Sequence, residues 1–100
     1  MEIIRPIEGQ QSIKILPREM GINVRFILVD KEDSTNEFDE DLVCVVENEY
    51  LIVPFSIPFL KVGRHYFIRI ENNQGKRIWL GEAFCTDQTD LQNYKINGGN

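Results

Sequence analysis

The chain has 100 residues, with 16 acidic and 11 basic side chains giving a formal charge of −5. Hydrophobic residues make up 42% and charged residues 27%, the balance of a globular fold, and the length suits one domain over 1–100 that buries roughly 60–65% of its unfolded surface. The acidic excess speaks against a phosphate-backbone binder, which depends on clustered Lys and Arg, and no apolar run approaches the ~20 residues of a membrane span.

Met1-Glu2-Ile3-Ile4-Arg5-Pro6 lacks the basic-then-apolar pattern of a secretory signal, so the expected location is a cytoplasm, or a larger assembly built there. Segment 1–10, with Pro6 and Gly9, reads as a flexible arm or an edge strand. Residues 11–16 alternate, with Ile13 and Ile15 on one face, and Pro17 ends the run because proline cannot donate to a ladder. Segment 22–30 is the next strand: Ile22, Val24, Phe26 and Leu28 face one way. Ile27 and Val29 make its second half apolar on both faces, which calls for a loop or a partner over the far side.

Residues 31–41 are polar and acidic with only Phe38 to bury, and read as a loop. A hairpin follows, 42–47 and 50–55 around Asn48-Glu49. Pro54 and Pro58 are expected to push the chain out of regular pairing, as at an edge strand or a crossover between sheets. Residues 59–64 turn into the strongest hairpin signal of the chain: two alternating runs within 65–87 flank Asn73-Gln74-Gly75, and glycine supplies the positive φ such a turn requires. Tyr66, Ile68 and Ile70 share one face of the first arm. Ile78, Leu80 and Phe84 share one face of the second. Leu91–Ile96 reads as a short last strand in a terminal arm, 91–100.

No segment holds a helical period. Six or seven antiparallel strands with regular turn signals predict an all-β fold, a single immunoglobulin-like β-sandwich, with a small β-barrel as the alternative.

The candidate sites are few. Cys44 and Cys85 sit on distant strands; without a secretion signal they read as free, buried thiols rather than an inter-sheet disulfide. Two cysteines and one histidine fall short of a zinc site. Asp30, Glu32, Ser34, Asn36 and Asp41 fall on calcium-loop offsets. Thr35, however, stands where the loop needs glycine, and Asp41 replaces the bidentate glutamate, which favours a solvated loop. Lys61, Arg64 and His65 form a basic set too short for an anion site. His65 and Cys85 are possible cross-strand neighbours, but no third orienting group accompanies them.

Trp79, Tyr66 and Phe67 are the aromatic candidates. Trp79 alternates away from Ile78, Leu80 and Phe84, so one face of that hairpin must meet something other than water. Either it packs under a loop of its own domain or it docks on another subunit, where Trp and Tyr are favoured anchors. An exposed aromatic platform for carbohydrate is the alternative use of the same three residues.

Taken along the chain, Gln11…Ile13-Lys14-Ile15-Leu16-Pro17-Arg18, then two hairpins, then Ile78-Trp79-Leu80-Gly81…Phe84-Cys85-Thr86-Asp87-Gln88 and Tyr94-Lys95-Ile96-Asn97, the sequence resembles a group of small β-sandwich virion proteins of tailed bacteriophages. These occur especially among the crAss-like phages of gut Bacteroidetes. The resemblance implies a non-enzymatic structural subunit: a capsid auxiliary protein, or a ring or adaptor of the neck or tail. Its expected partners are other virion proteins and copies of itself, with no cofactor, nucleic acid, membrane or small-molecule substrate. The runner-up function is a carbohydrate- or cell-surface-binding module.

Overall fold

The computed structural model describes residues 1–7 and 9–87. Every regular element among them is a strand: β1 (Glu2–Ile4), β2 (Gln11–Ile15), β3 (Asn23–Asp30), β4 (Glu37–Val43), β5 (Val45–Glu47), β6 (Tyr50–Phe55), β7 (His65–Asn72) and β8 (Arg77–Cys85). They form two sheets, a five-stranded one in the order β1-β8-β7-β3-β4 and a three-stranded one in the order β2-β6-β5. The connectivity is immunoglobulin-like: β2, β6 and β5 stand as strands B, E and D do, and β3, β7 and β8 as C, F and G do, with β4 extending the second sheet. The described residues thus hold eight strands, and one pairing among them is parallel, β1 with β8. The expected arm or edge strand at the start is an edge strand, and its Ile4 is fully buried. Leu91–Ile96 and the arm 91–100 lie outside the described residues.

The core lies between the sheets because each strand alternates. Val24, Phe26 and Leu28 of β3 and Tyr66, Ile68 and Ile70 of β7 face Ile13 and Ile15 of β2 and Leu51, Val53 and Phe55 of β6. Phe26 ties the layers together. Its ring stacks on Phe55 of the opposite sheet at 5.2 Å between centroids and meets Phe38 edge-on at 5.8 Å. Burying each such ring stabilises the fold by roughly 1.5–3 kcal/mol.

Two elements depart from the reading of the sequence. The acidic stretch is not all loop: residues 37–43 form β4, paired with β3 from Val29↔Glu37 to Asn23↔Val43. A backbone ladder needs no apolar side chain on an edge, and Phe38 and Leu42 suffice to anchor its inner side. At Cys44 the chain leaves this sheet for the other, held by the Cys44 amide donating to the Ile22 carbonyl at 2.6 Å. Pro54, in turn, lies inside β6, the middle strand of its sheet, paired with Ser12. It is tolerated because β5 ends opposite Ile52, leaving position 54 a neighbour on one side only.

The β7–β8 hairpin turns where expected, with Gly75 at φ 82°. Its second arm is inverted relative to the sequence reading. Ile70 pairs with Trp79 but Glu71 with Arg77, so Ile78 is an extra residue, a β-bulge. One inserted residue reverses the parity of everything beyond it. Ile78 and Trp79 consequently both turn inward, Ala83 and Cys85 join the core, and Leu80 and Phe84 emerge on the outer face. The Trp79 ring lies over Gly81, where a Cβ would come within 2.3 Å of it. Gly81→Ala is therefore expected to lower stability by about 1–3 kcal/mol through displacement of Trp79. A denaturant midpoint unchanged from the native chain would contradict this packing.

Candidate functional site

Of the aromatic candidates, only Phe67 stands on the surface. Tyr66 is fully buried, and its hydroxyl accepts the Lys61 amide at 2.9 Å, tying the start of β7 to the turn that delivers it. This is the arrangement of a tyrosine corner, and it makes Tyr66 a structural anchor rather than a docking residue. Burial also pushes its hydroxyl pKa up. Trp79 is on the inner face, partly buried against the core, so the expectation of a docking Trp79 fails because of the bulge at Ile78. Trp79, Tyr66 and Phe67 accordingly do not make one exposed aromatic platform. Nothing in the sequence distinguished Tyr66 from an ordinary strand aromatic except its place just after a Pro- and Gly-containing turn.

The surface that does carry apolar side chains is the outer face of the five-stranded sheet. The registers place Glu82 beside Phe67 and Phe67 beside Val29, then Leu80 beside Arg69 and Arg69 beside Ile27, in successive rows. Phe84 lies beside His65 one row further, their rings 4.9 Å apart, and Ile3 of β1 pairs with Phe84. Phe67 is 46% exposed, Leu80 56% and Ile3 43%, with Ile27, Val29 and Phe84 half-buried around them. This is the far side of β3, where Ile27 and Val29 make the strand apolar on both faces.

Most charges on this face are paired within it, and Glu37 and Asp41 lie at its β4 rim. Arg25 binds Asp39 with two bonds, Nε to Oδ1 at 2.8 Å and Nη2 to Oδ2 at 2.6 Å, and reaches Glu71 at 3.6 Å. Arg69 Nε holds the other Glu71 oxygen at 2.7 Å. Lys31 contacts Glu82 at 3.0 Å and sits over the Phe67 ring at 4.7 Å. The Arg25 guanidinium holds the Asp39 carboxyl below the usual carboxylate range. A cleft of about 550 Å3 at the end of the sheet is lined by Arg25, Asp41, Val43, Glu71 and the β7–β8 turn, and Arg25 and Glu71 there are already committed to partners.

The other candidates resolve into structural roles. Asp30 is buried, and its carboxylate accepts the Glu32 and Asp33 amides and Arg64 Nη1 at 2.9 Å, while Arg64 Nε binds Glu32 at 2.6 Å. An arginine therefore stands where a calcium ion would be required. Asp41 is also placed elsewhere, in β4 opposite Arg25. Among the described residues no group of three His, Cys, Asp or Glu is placed to hold a metal ion. His65 faces outward beside Phe84 and Cys85 faces the core, so adjacent strands separate the two rather than joining them. Among the described residues no helix is long and apolar enough to cross a membrane.

No protein-family model matches the chain, and no curated protein or solved structure matches it either.

Cys44 and Cys85 are both buried and free, and desolvation pushes the thiol of Cys44 up to about 11 and raises that of Cys85. Because the thiolate is the reactive form, both cysteines should resist alkylation in the native chain at pH 8 and react together on unfolding. Fast labelling of Cys85 alone would instead reveal an activated nucleophile.

Proposed function

We propose that the chain is a non-enzymatic structural subunit of a tailed-phage virion that works by protein–protein contact through the outer face of its five-stranded sheet. The resemblance in sequence supplies the virion setting, either as a capsid auxiliary protein or as a ring or adaptor of the neck or tail. The observation that carries the contact is Phe67, Leu80 and Ile3 standing exposed together while every charge beside them is paired locally. A partner covering this face gains apolar burial without breaking hydrated charges, which is the composition of an interface core with a polar rim. The two inward aromatics, Trp79 and Tyr66, leave Phe67 as the central anchor.

The test is particle incorporation. Phe67→Glu with Leu80→Glu should lower the amount of the chain in purified virions of the phage that encodes it about tenfold or more, by quantitative mass spectrometry, with the melting temperature of the free chain nearly unchanged. Incorporation at the native level would move the contact to another surface. Absence of the unsubstituted chain from purified virions would end the virion reading altogether.

A further inference from the structure

We propose that β4 is a docking edge, beside which an extended, basic segment of another protein adds as a further strand. This is a surface separate from the outer face, and the proposal does not depend on the contact assigned there. Position is the first observation. β4 closes the five-stranded sheet, and no strand among the described residues pairs with its far side. Glu37–Val43 runs there without a bulge, a Pro or a Lys, devices that commonly blunt an edge. The backbone donors and acceptors of alternate residues along it point away from β3, toward an incoming ladder.

Packing is the second. Among the described strands, β4 is the only one longer than three residues that has no buried residue. Phe38 and Leu42 turn toward the core yet are only half-covered. The smaller sheet is short at the same corner, because β5 ends opposite Ile52 and leaves Val53–Phe55 paired with β2 alone. The two incomplete edges meet at a groove of about 290 Å3, lined by Phe38, Leu42, Pro54 and Phe55, with Glu40 between the first two. A strand added beside β4 sends every second side chain into this groove.

Charge is the third, and it selects the occupant. β4 carries four carboxylates within Glu37–Asp41, and only Asp39 is bound by Arg25. Asp41 stands opposite that same arginine, and among the described residues Glu37 and Glu40 have no cationic partner. The acidity guards the edge against a second copy of this chain. Any register that pairs most of β4 with another β4 sets carboxylate against carboxylate, and the overall charge of −5 adds to the repulsion. It does not guard against cations. The occupant that fits is an extended segment with Lys or Arg opposite Glu37, Glu40 and Asp41. Opposite Phe38 and Leu42 it carries apolar residues, which enter the groove.

The experiment titrates the isotope-labelled full chain, followed by NMR, with three end-blocked peptides of one composition. Val-Lys-Lys-Thr-Val-Lys matches β4 in antiparallel order, Lys-Val-Thr-Lys-Lys-Val in parallel order, and Lys-Lys-Lys-Val-Val-Thr in neither. One matched peptide should bind at least about tenfold more tightly than the unmatched one, shift the amide signals of β4, Val53 and Phe55, and slow hydrogen exchange along β4. Glu37→Lys with Glu40→Lys should weaken that binding about tenfold or more with the melting temperature nearly unchanged, since both side chains are exposed. Exchanging the two facing peptide lysines for glutamates should restore it. Methylating the peptide's backbone nitrogens at alternate residues should abolish binding in one phase and spare it in the other, which attraction between charges alone cannot produce. Phe67→Glu should change none of this. Equal binding of matched and unmatched peptides, equal effects of the two methylation phases, or no binding at all would each overturn the inference. The outer-face contact is judged separately, by particle incorporation.

Discussion

The extra residue at Ile78 governs how the whole five-stranded sheet presents itself. Strand alternation is strict, so a single bulge between Ile70 and Glu71 exchanges inside for outside along the rest of β8. Trp79 turns inward and packs against the core over Gly81, Ala83 and Cys85 are buried further along the strand, and Leu80 and Phe84 are delivered to the outer face on either side of the Phe67 row. Without the bulge the face would present Trp79 and Ala83, and the apolar row around Phe67 would be broken. The surface that defines the molecule's contact chemistry therefore follows from one local irregularity in the ladder.

Around that hairpin, three polar locks fix the points where the chain changes sheet or direction. The Tyr66 hydroxyl closes the turn between β6 and β7, the Cys44 amide closes the switch from β4 to β5, and the buried Asp30 carboxylate with Arg64 joins the β3–β4 turn to the same corner as Tyr66. Each uses a buried polar group that is satisfied within a short reach, the condition under which burial of such groups is tolerable. The Asp30–Arg64 pair sets a positive charge of the chain itself against the buried carboxylate at the start of the segment with calcium-like spacing.

The outer face combines features that rarely coincide on a surface meant for water alone. It is apolar at its centre, the charges around that centre are paired locally, and the acidic excess lies at its β4 rim and elsewhere. Such a face favours a partner that matches its shape over one that matches its charge. That is the physical content of the proposal that this chain works in assembly.

Composition, alternation and turn residues determined the class and most of the strands: Tyr66, Ile68 and Ile70 are core as their period required, Gly75 makes the turn, and β3 carries apolar residues on both faces. These features are local, and period 2 reports them directly. What the sequence did not carry was the register. β4 escaped notice because an edge strand is held by backbone bonds that acidic side chains do not reveal. The roles of Trp79, Leu80 and Phe84 were inverted because a bulge leaves no mark in the hydrophobic pattern. Tyr66 read as an anchor for a partner because only the fold shows Lys61 folded back over its hydroxyl. Phe67 alone kept its place, since it lies before the bulge, where alternation from the hairpin's first arm still holds. The sequence by itself decided that a second apolar face exists; the tertiary structure decided which residues form it, because register is set by pairing between strands and not within one.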